Sequence, residues 1–362
     1  MNLRAIFHQL KIDIPLFISL MILAIFGLII LYSAAPSHIL VVKQIIHLFL
    51  AIGVMIAIAQ IPPYHIKRWT PYLLIIGIIL LLLVLFFGTK INGAQRWLDL
   101  GFFRFQPSEL LKIVVPIAIA SILSESTLPP KPNKILLSFI AIMTVAFLIF
   151  KQPDLGTALL ISSSGIFVLF FSGLSWKIIF GSLGIIIAIL PIMWNFVLHS
   201  YQKQRVLTFL NPESDPYNTG YHIIQSKIAI GSGGISGKGY MQGSQSQLNF
   251  LPEHSTDFIF SVLSEEFGLI GVLVLLTIYA IIIYRCFVIA INTPDNFSRL
   301  LTAGLTMTFF TYIFVNIGMV SGLLPVVGMP LPFMSYGGTS LITLMISFGV
   351  IMSISQNKKY NG

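Results

Sequence analysis

Hydrophobic positions along this chain come in long unbroken blocks, separated by short polar punctuation. The blocks run over about 14–32, 40–61, 70–88, 107–124, 135–150, 156–173, 176–198, 257–284, 300–320 and 326–354. Most approach or exceed the ~20 apolar residues that an α-helix needs to cross a bilayer. Runs such as residues 75–87 show no alternation of period two, so the short strands of an outer-membrane barrel are excluded. Backbone in contact with hydrocarbon must bond to itself, which predicts helices wherever these blocks meet lipid. The expectation is an all-α polytopic membrane protein with about ten transmembrane helices, forming one integral membrane domain over 1–362. Only Lys151 to Asp154 separate the fifth and sixth blocks. The one long polar segment, about 199–256, falls between the seventh and eighth.

Composition agrees. The chain is 56% hydrophobic and 9% charged, against about 25% charged in soluble domains. The first block follows Arg4 and Lys11, and Tyr32-Ser33-Ala34-Ala35 imitates a cleavage site. The apolar run is too long for a signal peptide and more spans follow, so an uncleaved first helix is expected. Cys286 is the sole cysteine, which excludes an internal disulfide. Net charge is +9. The Lys and Arg residues nearly balance across the two membrane faces until Lys203, Arg205, Lys227 and Lys238 of the long loop are set aside, because long loops count little in the positive-inside rule. The remaining bias puts both termini in the cytoplasm and residues 199–256 outside. Basic charge on the outer face suits a polyanionic ligand or an ordinary solvated loop.

Within the long loop, Asn211-Pro212, Asp215-Pro216 and Asn218 predict turns. Residues 221–230 predict a short amphipathic helix anchored by Ile223, Ile224, Ile228 and Ile230, on the membrane surface or against the bundle. The stretch Gly231-Ser232-Gly233-Gly234-Ile235-Ser236-Gly237-Lys238-Gly239 is either a flexible loop or a place where backbone N–H groups approach phosphate. It is not a Walker A loop, since Ser232 and Gly239 occupy positions that motif reserves for Gly and for Ser or Thr.

Ionisable residues inside or beside spans are costly and mark candidate chemistry. In Arg104-Phe105-Gln106-Pro107-Ser108-Glu109-Leu110-Leu111-Lys112, Pro107 suits the first helical position, and Glu109 and Lys112 sit three apart on one face. They form an internal ion pair, or Lys112 and Arg104 face an anionic ligand. Lys151 belongs to a charged connector and can meet phosphate as a point charge. In Pro252-Glu253-His254-Ser255-Thr256-Asp257, a helix beginning at Pro252 puts Glu253 and Asp257 on one face, and its N-terminus keeps Asp257 ionised. Helix capping is the plainer role for Asp257. Glu265 and Glu266 lie about 12 Å deeper and need partners there. His254 reads as an exposed loop histidine. No His/Cys cluster has zinc spacing, and no G-x-S-x-G elbow occurs. The last block opens on Gly328-Met329-Pro330-Leu331-Pro332-Phe333-Met334-Ser335-Tyr336-Gly337-Gly338, which breaks a helix and suits a cavity wall or a kinked packing helix.

Together these stretches resemble the SEDS family. The resemblance is carried by Arg96-Trp97-Leu98-Asp99-Leu100-Gly101 through Lys112, and by residues 152–156, 243–268 and 319–338, and it spans nearly the whole chain. Residues 246–252 and 319–328, with the short N-terminal tail, are more similar to the cell-elongation branch than to the division branch. Relatives often carry Arg-His-Thr-Asp where this chain has His254-Ser255-Thr256-Asp257, so the Thr-Asp pair is kept and a basic contact is lost.

The resemblance implies a peptidoglycan glycosyltransferase that polymerises lipid II at the outer face of the inner membrane, with Asp257 as the catalytic residue. The expected reaction is one inverting displacement of a lipid pyrophosphate by a sugar hydroxyl. Such a step calls for a base, assigned to Asp257, and for cations at the leaving group. Lys112, Glu109, Arg104, Lys151, Glu253 and Lys238 are the candidate substrate-binding residues. A divalent cation, Mg or Mn, held by oxygen ligands can share the task, with no ligands assigned and no organic cofactor expected. The implied partners are lipid II and the growing lipid-linked glycan, a class B penicillin-binding protein contacting the eighth and ninth spans and the outer loops, and other membrane proteins of the elongation complex, with no nucleic acid. The rival readings are a lipid II flippase, a division polymerase and a scaffold.

Overall fold

The structure is a computed structural model that describes residues 11–35, 38–91, 94–99, 101, 104–125, 127–198, 200–215, 219–247 and 253–357. The first three blocks form α1 (Ile14–Ala34), α2 (His38–Ala59) and α3 (Pro63–Phe87). Asp13 caps α1 by accepting a bond from the Leu16 N–H at 3.2 Å. A small antiparallel sheet then intervenes, β1 (Thr89–Ile91), β2 (Ala94–Asp99) and β3 (Arg104–Phe105), in the order β1-β2-β3. It is an addition to the all-α expectation, built from strands too short to show a pattern in the sequence.

The remaining spans are α4 (Pro107–Ser124), α5 (Pro132–Lys151), α6 (Leu155–Phe171), α7 (Trp176–Ile192), α11 (Ile259–Ile291), α12 (Asn296–Val320) and α13 (Gly338–Asn357). The loop contributes α8 (Ser200–Leu210), α9 (Thr219–Gly233) and α10 (Ser244–Gln247). Among the described residues nine helices are long and apolar enough to cross a membrane, and α6 is a shorter apolar helix. The chain is a multi-pass membrane protein. Asp154 separates α5 from α6 by capping the latter, accepting from the Thr157 N–H and Oγ1 at 3.2 and 2.9 Å. Helix α4 is the hub, buried over most of its length against α3, α6 and α12. Helix α7 stands apart, with no buried residue among those described.

Two boundaries differ from expectation. Helix α11 starts at Ile259 rather than Pro252, because residues 253–258 form a turn in which Glu253 takes a φ of +56°. Helix α13 starts only at Gly338, so the Pro/Gly run does not open a kinked helix but stays outside the helix altogether. The amphipathic helix exists as α9 and packs on α11. It does so through Ile223, Ser226 and Ala229, whereas Ile228 is exposed. Ser226 Oγ meets Ser261 Oγ at 2.8 Å and donates to Val320 O at 2.5 Å.

The Gly-rich stretch has a structural task. Helix α11 breaks at Gly268, with φ 60° and ψ −158°, a region open only to glycine. The helical bonds that Leu269 and Ile270 N–H would make to Glu265 and Glu266 are replaced by bonds to the loop. Leu269 N donates to Gly234 O and Ile270 N to Ile235 O, at 3.0 and 3.1 Å. The freed carbonyls of Glu265 and Glu266 accept from Lys238 N and Gly239 N, each at 3.0 Å. A break at membrane depth is tolerated when protein re-satisfies its polar groups in this way.

Candidate active site

Asp257 sits in the turn that precedes α11. Thr256 N and Phe258 N donate to Glu253 O at 3.1 and 3.2 Å, closing the turn. The turn is stitched to the Pro/Gly run, since Tyr336 N donates to Ser255 O at 2.9 Å and Ser335 Oγ to Thr256 O at 2.6 Å. From α12, Asn316 Nδ2 donates to Asp257 O at 2.8 Å and to Met329 O at 2.6 Å. Three separate parts of the chain therefore fix the backbone that carries the Asp257 carboxyl.

That carboxyl does not cap α11: the N-cap is Phe258, which makes no side-chain capping bond. Burial, reinforced by the charge of Glu253 and opposed by Arg205, pushes Asp257 up to about 6. At neutral pH it is mostly ionised and still a competent proton acceptor. The helix N-terminus expected to set its ionisation gives way to burial and the Glu253 charge, opposed by the Arg205 guanidinium.

Two cavities stand out among the described residues. The larger, ≈ 670 Å³, is a groove between α2, α3, α4 and α13, lined almost wholly by apolar side chains. It runs from Gln106, Glu109 and Thr339 at one end to Ile61 and His65 at the other. At its polar end, Thr339 lies three residues past Tyr336, which is bonded to the Asp257 turn. The smaller, ≈ 50 Å³, is lined by Arg96, Asp154, Gln202, Arg205 and Val327 among others. Val327 precedes Gly328, on which a β-carbon would stand 3.3 Å from Asp257 Oδ2.

Residues 14–360 match the cell cycle protein family of FtsW, RodA and SpoVE. The chain belongs to this family. It is 48% identical to the peptidoglycan glycosyltransferase MrdB of Escherichia coli strain K12 over 359 residues, covering 99% of this chain and 97% of that protein. A probable peptidoglycan glycosyltransferase FtsW of Trichlorobacter lovleyi is 36% identical over 377 residues, covering 99% of this chain and 96% of that protein. A solved chain from work on the structural coordination of polymerization and crosslinking by a peptidoglycan synthase complex superposes with a TM-score of 0.84 at 30% identity, over 97% of this chain and 99% of that one. The crystal structure of the Thermus thermophilus rod shape determining protein RodA gives a TM-score of 0.73 at 27% identity, over 97% and 98%.

In this FtsW/RodA/SpoVE member the candidate residues do not all converge. Glu253 shares the turn with Asp257, although not through a helix face, and its Oε2 accepts from Thr256 Oγ1 at 2.6 Å. Glu109 lines the groove. Lys112 is buried, 2.5 Å from Glu109 and 5.0 Å above the Tyr312 ring. Lys238 lies 2.6 Å from Glu265 at the helix break, and Glu265 Oε1 also accepts from Ser244 Oγ at 3.0 Å. Glu266 finds its partner in Ser33 Oγ of α1. Lys151 lies exposed over Phe147, 5.4 Å from the ring centre, and does not line the smaller cavity. The backbone of Arg104 pairs with Asp99 in the sheet, and its side chain lies outside the described residues. His254 is half-buried in the turn rather than exposed.

Arg96 and Arg205 are basic residues that the sequence did not single out for the site. Both face the smaller cavity. The i, i+3 spacing of Gln202 and Arg205 is the one signal that pointed to a common face. Among the described residues no group of three or more His, Cys, Asp or Glu side chains is arranged to hold a metal ion.

Proposed function

We propose that this protein is a peptidoglycan glycosyltransferase that polymerises lipid II into glycan strands during cell elongation. The observation that carries the reading is Asp257: an acid raised to about 6, whose turn is bonded to a Pro/Gly run that leads at Thr339 into an apolar groove. The higher identity to the Escherichia coli glycosyltransferase MrdB than to the probable FtsW protein supports the elongation branch. The protein lies in the inner membrane with both termini cytoplasmic and the Asp257 turn at the outer face.

Asp257 removes the proton from the acceptor sugar hydroxyl as its oxygen attacks the anomeric carbon of the donor. The carbon–oxygen bond to the lipid pyrophosphate breaks, and the electron pair departs with that group. Pyrophosphate leaves without protonation, so no protein acid is required. The apolar groove suits a prenyl chain, which keeps the pyrophosphate near the membrane face. An Mg²⁺ or Mn²⁺ ion at the leaving group would draw its ligands largely from the substrate phosphates, because Asp257 serves as the base and no three acidic or imidazole side chains among the described residues are arranged to hold it. Such an ion would neutralise charge on the departing group. The partner is a class B penicillin-binding protein transpeptidase. Exposed apolar side chains on α11 and α12, including Leu273, Tyr284, Phe310 and Phe314, suit contact with its membrane helix.

The test is glycan synthesis from lipid II by the purified protein with its transpeptidase, with a divalent cation present or chelated. Wild type is expected to yield long glycan on a gel, and Asp257→Asn to lose at least about 10²-fold while still folded and bound to its partner. Equal synthesis by both would remove Asp257 from the mechanism. Absence of synthesis by wild type, with transport of lipid II between leaflets, would replace the enzyme by a flippase.

A further inference from the structure

The smaller cavity is built from parts of the chain that are distant in sequence. Arg96 comes from β2, Asp154 from the cap of α6, Gln202 and Arg205 from α8, and Val327 from the Pro/Gly run. Asp154 is nearly buried, and the Thr157 N–H and hydroxyl fix both of its oxygens. Arg96 lies 3.4 Å from it and donates through Nη2 to Pro153 O at 3.1 Å, so the guanidinium is oriented and its charge is matched by Asp154. Arg205 adds a second positive charge to the same wall, and Gln202 adds an amide. Arg96 is still 31% exposed, so the cavity is open to an entering group.

Size and position narrow the ligand. A volume of ≈ 50 Å³ is too small for a sugar and suits one tetrahedral anion. Val327 is pressed against α6 so closely that a β-carbon at Gly156 would fall 2.1 Å from its Cγ1. A β-carbon on the next residue, Gly328, would stand 3.3 Å from Asp257 Oδ2. The cavity and the acid therefore stand one residue apart along a clamped segment. An inverting displacement needs a base and a cationic site for the leaving group within reach of one reacting carbon, on opposite sides of it.

We propose that the Arg96–Arg205 cavity is the subsite for a phosphoryl group of the pyrophosphate that leaves the lipid-linked donor. This rests on the glycosyltransferase reading. As the new glycosidic bond forms and the bond from anomeric carbon to phosphate oxygen breaks, the electron pair moves onto pyrophosphate. Arg205 and Arg96 hold the charge that develops there. Arginine is suited to the task by its planar fork, which lysine lacks.

The experiment measures binding separately from turnover. Full-length protein in its complex with the transpeptidase is titrated with farnesyl pyrophosphate, inorganic pyrophosphate and farnesol, using thermal shift and inhibition of polymerisation. Hydrogen bonds to charged groups contribute about 1.5–3 kcal/mol, so Arg205→Gln is expected to weaken farnesyl pyrophosphate binding by at least about tenfold. Arg205→Lys recovers part of it, and Val206→Phe, which fills the cavity and leaves both arginines in place, weakens it as well. Inorganic pyrophosphate is expected to compete and farnesol not to. Unchanged binding in folded Arg205→Gln and Val206→Phe, or equal competition by farnesol, overturns the subsite while leaving polymerisation by wild type intact. Loss of polymerisation by wild type itself strikes the underlying reading instead.

Discussion

Gly328 lies against the Asp257 carboxylate, so close that a β-carbon on it would stand 3.3 Å from Oδ2. Its φ of +77° belongs to the left-handed region. The backbone thus reaches the acid because no side chain intervenes. Gly328→Ala is expected to cut polymerisation at least about tenfold, while strain lowers stability by only about 1–3 kcal/mol. Glycan gels and thermal unfolding in detergent check the two parts, and full activity would show that this close approach has no part in catalysis.

The pH dependence of polymerisation follows from the same carboxyl. A base near 6 predicts a rate that climbs about tenfold per pH unit below that value and levels off above it. Glu253 raises Asp257, so Glu253→Gln is expected to move the limb to lower pH. Arg205 lowers it, so Arg205→Gln is expected to move the limb to higher pH. Initial rates from pH 5 to 8 give the comparison, and shifts of the opposite sign would dissociate Asp257 from the titration.

At the helix break, Lys238 is partly exposed while Glu265 is not. Removing one member of such a pair leaves a buried charge, a loss of about 3–5 kcal/mol when both are buried. Ser244 Oγ and Gln245 N continue to bond Glu265, so Lys238→Met is expected to cost less than that range. The double variant K238M/E265M is expected to regain much of the loss, read as coupling in a double-mutant cycle of unfolding.

Gly268→Ala adds a β-carbon 2.4 Å from Gly237 N at a φ of +60°. It is expected to lower the unfolding temperature more than Ala placed at the exposed Leu273 of the same helix. Comparable shifts for the two would mean that the break is not anchored by the loop.

The spans were legible because their signal is local: Ile14–Ala34 and Pro107–Ser124 are apolar over a full membrane thickness. The start of α11 was not, because Pro252, Glu253 and Asp257 carry the marks of a helix N-terminus. Hydrogen bonds from residues 316, 335 and 336, far along the chain, hold Asp257 and its neighbours in a turn instead. Glu109 lay three residues from Lys112, so that pair was visible as an alternative. Lys238 and Glu265 are 27 residues apart, and their pairing depends on a tertiary fold that spacing does not reveal. Arg205 looked like any solvated loop cation until α8 turned it toward Asp154 and Val327.

The break at Gly268 gives a surface loop the tolerance of a core. Gly234 and Ile235 accept from two successive residues of α11, and Lys238 and Gly239 donate to two others, so four contacts are held in one fixed register. Inserting or deleting a single residue between Ile235 and Lys238 puts one half of the set out of step with the other. An epitope tag placed there would unseat the membrane-length helix that the loop braces.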